Sequence, residues 1–441
     1  MPATTPGDRL TISIVAGLVV ERDAISNICR QQLRAVERRL ERDGVPYAVR
    51  VYAAGSDVED SRIRLTSDPA GLIADEHFLA SDLIVYQFGI YHPLFDSILF
   101  APRPARVVVC YYGVTPPGCV RPSERGVIFR SYEQAVNLHC ADLVVTGSRH
   151  LHRELLGMGV PPEKLAHNPY CVPFRAGEGV PEKAWARDRL RLVYVGRYAP
   201  AKGLWELLRA VDRVRRTLPV ELTMVGTRRF TEPGFLEEMA DFIRERRLGD
   251  SVRCHFDVPE GELLAHLRAA DVLVIPSYHE GFCVPVVEAM SAGCFVVCSD
   301  AGALPETSGG LGLVCPAGDA EALAARLGEF AARWREGVVP TGRGPMSYAE
   351  WRRAAAEHLR TFARENFERT FTGLLFEGLR PTGDEARSGL SARRRELLAE
   401  LRRPGAQAPA PRPADERLRG VIREGYRPRT GYAKFAPRRG A

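Results

Sequence analysis

The sequence lacks the usual phosphate signatures. There is no GxxxxGK[ST] run and no GxGxxG after an apolar strand, so a P-loop and the common dinucleotide fingerprint are excluded. Lysine is scarce, with only four in 441 residues. The ten cysteines form no CxxC pair, and several sit inside strand-like runs such as "RVVVCYY" and "CFVVCSD". That is the usage of reduced, buried thiols, and it argues against a disulfide framework and against a zinc site. "LTISIVAGLVV" (10–20) is too short to span a bilayer and nothing longer appears. "MPATTPGDR" has neither a basic n-region nor an apolar h-region, so no signal peptide is expected and a cytoplasmic location is.

What is present indicates a two-domain α/β chain. The length exceeds one ordinary core. The net charge of +6 is unevenly spread, with sixteen Arg or Lys against seven Asp or Glu from Arg380 to Ala441, a local +9. The rest of the chain is therefore about −3. In the first half, "LTISIVAG", "YAVRVYAA", "DLIVYQFG", "ARVVVCYY" and "DLVVTGS" read as strands, with helical stretches such as "AISNICRQQLRAVERRL" between them. In the second half the strands are "LRLVYVGR", "VELTMVG", "SVRCHF", "DVLVIPS", "CFVVCSD" and "GLVCP". Alternation of this kind predicts parallel sheets covered on both faces, hence two doubly wound, Rossmann-like domains facing across a cleft. The join falls near "HNPYCVPFRAGEGVPEKAWARD" (167–188), where prolines and turn residues interrupt the pattern.

The stretch "YHEGFCVPVVEAMSAGC" (278–294) carries the chemistry. Glu280 is expected on the loop at the carboxyl end of a strand, and Glu288 about one turn into the next helix. Pro285 fits the first helical turn and Gly293 stops the helix. The backbone N–H groups of Gly281, Phe282, Cys283 and Val284 then lack helical partners and form an anion site. Two flanking carboxylates would repel a bare phosphate, but they suit a ligand that is a diphosphate in the middle and hydroxyl-rich at its ends. The plain alternative is that both glutamates complement a helix dipole. Arg197 and Lys202, in "YVGRYAPAKGLWELL", flank the first strand-to-helix turn of the same half, where they would neutralise a nucleoside diphosphate; otherwise they are solvated loop charges.

"VGRYAPAKG", "LLAHLRAADVLVIPSYHEGFCVPVVEAMSAGC" and "SDAGALPE" resemble the retaining GT-B glycosyltransferases (glycosyl transferases group 1). This is the family of bacterial mannosyl- and glucosyltransferases that includes sucrose-phosphate synthase. The resemblance is strong over about 189–335 and weaker over 10–180. It implies that Glu280 contacts hydroxyls of the transferred sugar and Glu288 holds the ribose. It also implies that the backbone of Gly281 to Val284 receives the phosphates, while Arg197 and Lys202 stabilise the leaving diphosphate. No metal or other cofactor is implied, and the donor is a GDP- or UDP-linked sugar. Cys283 stands where many relatives have glycine, a change that leaves its N–H in place. Tyr112, in "VVVCYYGVTPP", occupies the position of a histidine that touches the donor sugar; His92 is a candidate substitute, or else a structural loop histidine. Gly17 ends the first strand where relatives bring a glycine loop to the diphosphate.

The resulting layout is an acceptor-side domain over 1–180, a donor domain over 181–346 and C-terminal helices over 347–379 that cross back to the first domain. A Pro-, Ala- and Arg-rich tail over 380–441 cannot bury a core, and disorder is expected. The tail is either a solvated appendage or a peripheral contact with an anionic membrane carrying a lipid-linked acceptor. No groove-reading motif supports specific nucleic-acid binding. The expected activity is retaining transfer of a hexose to a glycan or lipid-linked hydroxyl. A nucleotide-sugar epimerase or phosphorylase of the same fold is the alternative, as is a non-catalytic sugar-nucleotide binder. A phosphorylase would need a cofactor lysine that none of the four lysines supplies.

Overall fold

Two parallel sheets organise the chain in a computed structural model that describes residues 9–172, 179–183, 188–229, 231, 233–377 and 379. The first sheet contains β1 (Leu10–Val19), β2 (Tyr47–Ser56), β3 (Ile63–Leu65), β4 (Leu83–Phe88), β5 (Arg106–Tyr111), β6 (Leu143–Thr146) and β7 (Leu165–His167). Its strand order is β3-β2-β1-β4-β5-β6-β7. The second contains β8 (Leu190–Val195), β9 (Val220–Gly226), β10 (Val252–Phe256), β11 (Val272–Ile275), β12 (Phe295–Ser299) and β13 (Leu313–Cys315). Its order is β10-β9-β8-β11-β12-β13.

The strands form where they do because both faces of each sheet are covered. All of β4, β11 and β12 is buried, which requires the near-continuous Val, Ile, Leu and Cys runs that the sequence shows. The sequence pattern does not single out β3 and β7. Both are three-residue edge strands without a fully buried residue, so no apolar run marks them. Strand order reverses between β1 and β4 and again between β8 and β11, and crevices at such switch points are where open α/β sheets bind ligands. All ten cysteines are free and eight are buried.

Two C-terminal helices tie the units together. The helix Tyr348–Leu359 lies on the second unit, where fully buried Trp351 packs against Phe295 and donates its indole N–H to Leu311 O at 2.8 Å. The helix Arg364–Phe376 returns to the first unit. There Glu368 pairs with Arg38 at 2.5 Å, and the Arg106 guanidinium donates to Glu377 O and Leu374 O at 2.8 and 3.1 Å. The basic tail, 380–441, lies outside the described residues, as do 173–178 and 184–187 of the stretch read as the join.

Candidate active site

The second switch point gathers the charged groups. β8 ends at Val195 and β11 at Ile275, and the loops leaving these neighbouring strands carry Arg197, Lys202 and Glu280. Lys202 Nζ lies 2.7 Å from Glu280 Oε1, and the Ser277 hydroxyl donates to the same oxygen at 2.8 Å. Both members of the ion pair are largely covered, so each is held in one orientation. Arg197 is exposed and has no ion-pair partner among the described residues. Its carbonyl accepts from the buried Tyr194 hydroxyl at 2.8 Å, which pins the turn without using the guanidinium.

Two glycines permit this convergence. A Cβ on Gly203, at φ 65°, would stand 2.1 Å from Pro276 O, so only glycine lets the Lys202 turn lie against the end of β11. Gly302, at φ 62°, meets Glu280 O in the same way, and Ala303 N–H donates to that carbonyl at 2.9 Å. The "SDAGALPE" stretch thus clamps the backbone that bears Glu280.

The helix after Glu280 runs Val284–Ser291 with Pro285 in its first turn. Among the described residues, the N–H groups of Gly281, Phe282, Cys283 and Val284 donate to no protein acceptor, which leaves an anion site open at the helix start. Cys283 sits there at φ 76°, in the left-handed region. Glycine suits this position for a backbone reason, so the substitution is more than a neutral exchange of side chains. Glu288 lies one turn in, its carboxylate without a hydrogen-bond or ion-pair partner among the described residues. Burial, aided by the nearby charge of Glu260, pushes its pKa up to about 7.

The first unit contributes less than the sequence suggests. Tyr112 is buried and its hydroxyl donates to Gln87 Oε1, which belongs to an internal chain. Gln87 Nε2 donates to Gln32 Oε1 at 2.9 Å, and Gln32 Nε2 reaches Cys110 Sγ at 3.3 Å. The phenol therefore points into the domain, and only the Tyr112 backbone approaches the site: a Cβ on Gly281 would lie 2.4 Å from its carbonyl. His92 is buried as well, its Nε2 at 3.0 Å from Gln87 O, and desolvation pushes its pKa down to about 4. It is not brought to Glu280. Gly17 does not end β1, which continues to Val19; the residue packs against the His92 ring inside the strand.

Residues 180–335 match the profile of the family described as glycosyl transferases group 1. This part of the chain is a group 1 glycosyltransferase domain. An MMP alpha-(1->4)-mannosyltransferase of Mycolicibacterium hassiacum is 34% identical over 207 residues, 46% of this chain and 48% of the relative. The chain thus spans about half the length of that relative. O-antigen chain mannosyltransferase B of Escherichia coli is 27% identical over 299 residues, 63% of this chain and 74% of the relative. Among solved structures, sucrose-phosphate synthase of Thermosynechococcus elongatus superposes with a TM-score of 0.59 at 20% identity, covering 88% of this chain and 99% of that one. Anabaena HepE with UDP-glucose gives 0.61 at 15% identity, covering 82% and 99%. The fold is GT-B.

Three groups around the Glu280 loop and the contact between the two units are not singled out in the sequence. The Ser148 hydroxyl donates to Gly281 O at 2.7 Å while capping the helix Arg149–Gly157 of the first unit. Glu306 accepts from the N–H groups of Arg149 and His150 at 2.8 and 3.2 Å, so a carboxylate of one domain seals a helix start of the other. His279, next to Glu280, is partly buried beside His150, and desolvation pushes its pKa down to about 4. Glu306 lies within the quoted "SDAGALPE", the one signal that could have flagged it. No helix among the described residues is long and apolar enough to cross a membrane.

Proposed function

We propose that this chain is a retaining hexosyltransferase that moves mannose or glucose from a GDP- or UDP-linked sugar to a hydroxyl of a glycan or lipid-linked acceptor. The observation that carries the reading is the set of groups at the β8/β11 switch point. Open N–H groups at 281–284, the Lys202–Glu280 pair and a Glu288 carboxylate without a partner among the described residues lie on one loop and the helix that follows it, which supports a ligand with a phosphate between hydroxyl-rich ends. Arg197 and Lys202 face the growing charge of the departing diphosphate, and the helix start adds fixed dipoles without reorganisation. Glu280 accepts from sugar hydroxyls and Glu288 from the ribose pair. The acceptor oxygen attacks from the face on which the diphosphate leaves, and a phosphate oxygen takes its proton, so the anomeric configuration is kept. No chemical step needs a metal or other cofactor. Two relatives named as mannosyltransferases support the choice of sugar, and a neighbour crystallised with UDP-glucose supports a nucleotide-linked donor.

The inward Tyr112 is the observation that favours a binder without turnover. Incubation of the full chain with a panel of GDP-, UDP- and ADP-sugars and candidate acceptors separates the two. Release of nucleoside diphosphate, with an α-linked product from an α-linked donor by NMR, is the expected result; binding without acceptor-dependent release would leave only the binder. The +9 segment from Arg380 is assigned on charge alone to an anionic leaflet bearing the acceptor. Vesicle co-sedimentation of the full and 1–380 chains, at low and high salt, tests this, and equal pelleting removes the membrane from the reading.

A further inference from the structure

The geometry points to a Zn2+-binding site on the outer edge of the glycosyltransferase domain, formed by His255, Glu262 and His266. His255 lies near the end of β10, the edge strand of the second sheet. Glu262 and His266 are one turn apart on the following helix, Glu260–Ala269, and so share a face. Between them the chain turns at Asp257, at φ 56°, whose carboxylate accepts from the Thr227 hydroxyl at 2.7 Å.

The three donors converge. His266 Nε2 stands 3.5 Å from Glu262 Oε1 and His255 Nδ1 stands 3.9 Å from the same oxygen. One ligand atom from each residue fits within a mutual spacing of 4.8 Å, and the two imidazole rings are 4.6 Å apart. Tetrahedral zinc with bonds of about 2.0–2.1 Å places its ligands roughly 3.4 Å from one another, so modest side-chain rotations close the set. His266 Nε2 is enclosed by protein yet makes no hydrogen bond. A single proton shared with the carboxylate would serve one ring and leave the other lone pair idle, whereas one metal ion uses all three groups. Glu262 is about half exposed, so water can take the fourth position.

Two imidazoles and one carboxylate form a zinc-type donor set, poorly matched to Mg2+, which prefers octahedral oxygen. No cysteine belongs to the cluster, so the absence of CxxC pairs does not bear on this donor set. The ion would clip the edge strand to the helix that crosses to β11. None of the three residues belongs to the donor-site groups, so this inference stands apart from the proposed activity.

The test uses the full chain after dialysis against EDTA. Calorimetric titration with Zn2+ should give one equivalent bound at micromolar or tighter Kd, with a raised Tm that Mg2+ does not reproduce. Co2+ should show d–d bands without a thiolate charge-transfer band. His255→Asn with His266→Gln should weaken Zn2+ binding by more than the roughly 10–100-fold that loss of an outer partner costs. The metal-free Tm and nucleoside diphosphate affinity of this variant should match those of the parent. Unchanged Zn2+ affinity in the variant, a thiolate band with cobalt, or binding of the parent no tighter than millimolar would each overturn the site.

Discussion

Cys283 holds a left-handed backbone, φ 76°, at the start of the helix that meets the diphosphate in the proposed complex. A side chain in that region costs roughly 1–2 kcal/mol relative to glycine. Comparing two truncations isolates this cost, since Ala and Gly both remove the sulfur and only Ala keeps a Cβ. Cys283→Gly should be more stable than Cys283→Ala by about 1 kcal/mol in urea unfolding, the reverse of their usual order. An Ala variant equal to or better than Gly would show that the loop does not hold this conformation. Glu288 gives a second test at this scale. Its pKa is pushed up to about 7, and ribose hydroxyls donating to the carboxylate would favour the charged form. Binding would then release a proton, so nucleoside diphosphate affinity should rise with pH through about 7 and Glu288→Gln should flatten most of that slope. In the unliganded protein the same group works against the fold. Between the ordinary 4.5 and about 7 the folded state keeps a proton that the unfolded chain has lost. Stability therefore declines as pH rises through that window, and a pH series of Tm should show the decline absent from the Gln variant. A slope in affinity identical in both proteins would remove Glu288 from the ribose.

Strand ends, more than individual residues, deliver charge to the site. Arg197 and Lys202 leave β8 and Glu280 leaves β11, adjacent strands on either side of the order reversal. If the proposed transfer holds, charge on the diphosphate grows as the glycosidic bond breaks, and Arg197→Ala and Lys202→Ala should lower kcat/KM on the order of 10²-fold while weakening intact donor binding less. Equal losses in kinetics and in donor Kd would mean the pair only holds the ground state. Much of this element-level arrangement is legible in sequence, since buried parallel strands announce themselves as short β-branched runs and the acidic pair follows one of them. The misreadings have local causes. β3 and β7 carry no buried run, and β1 continues two residues past Gly17 because its neighbours Leu18 and Val19 still pair with Gly55 and Ser56. The direction of Tyr112 was available in principle: side chains alternate along β5, so Tyr112 follows Cys110 toward Gln32 and the interior. The interdomain contacts of Ser148 and Glu306 were not legible, even with Glu306 inside a motif, because their partners lie 133 and 157 residues away and depend on how the domains meet.

A scattered set of polar contacts bridges the two domains. Arg22 donates to Asp257 O at 2.6 Å, Arg229 pairs with Asp57 at 2.5 Å, and Arg121 pairs with Glu238 at 3.1 Å. Arg121 also lies 5.4 Å from the centre of the Phe235 ring. Exposed pairs of this kind contribute about 0.2–1 kcal/mol each and weaken with salt, so they bias closure without locking it. The buried contacts of the Arg364–Phe376 helix with the first unit do not depend on them and supply the permanent tether. Arg121→Ala combined with Arg229→Ala should therefore leave Tm nearly unchanged, because neither domain core is touched. The radius of gyration by small-angle scattering should nevertheless increase, and the parent protein should move in the same direction as ionic strength is raised. Added nucleoside diphosphate sugar should return the variant toward the compact form, since a ligand bound between the domains favours the closed state by its differential affinity. Scattering that is identical for parent and variant at every salt concentration would show that closure rests on Ser148, Glu306 and the tether alone, and that the charged rim plays no part in it.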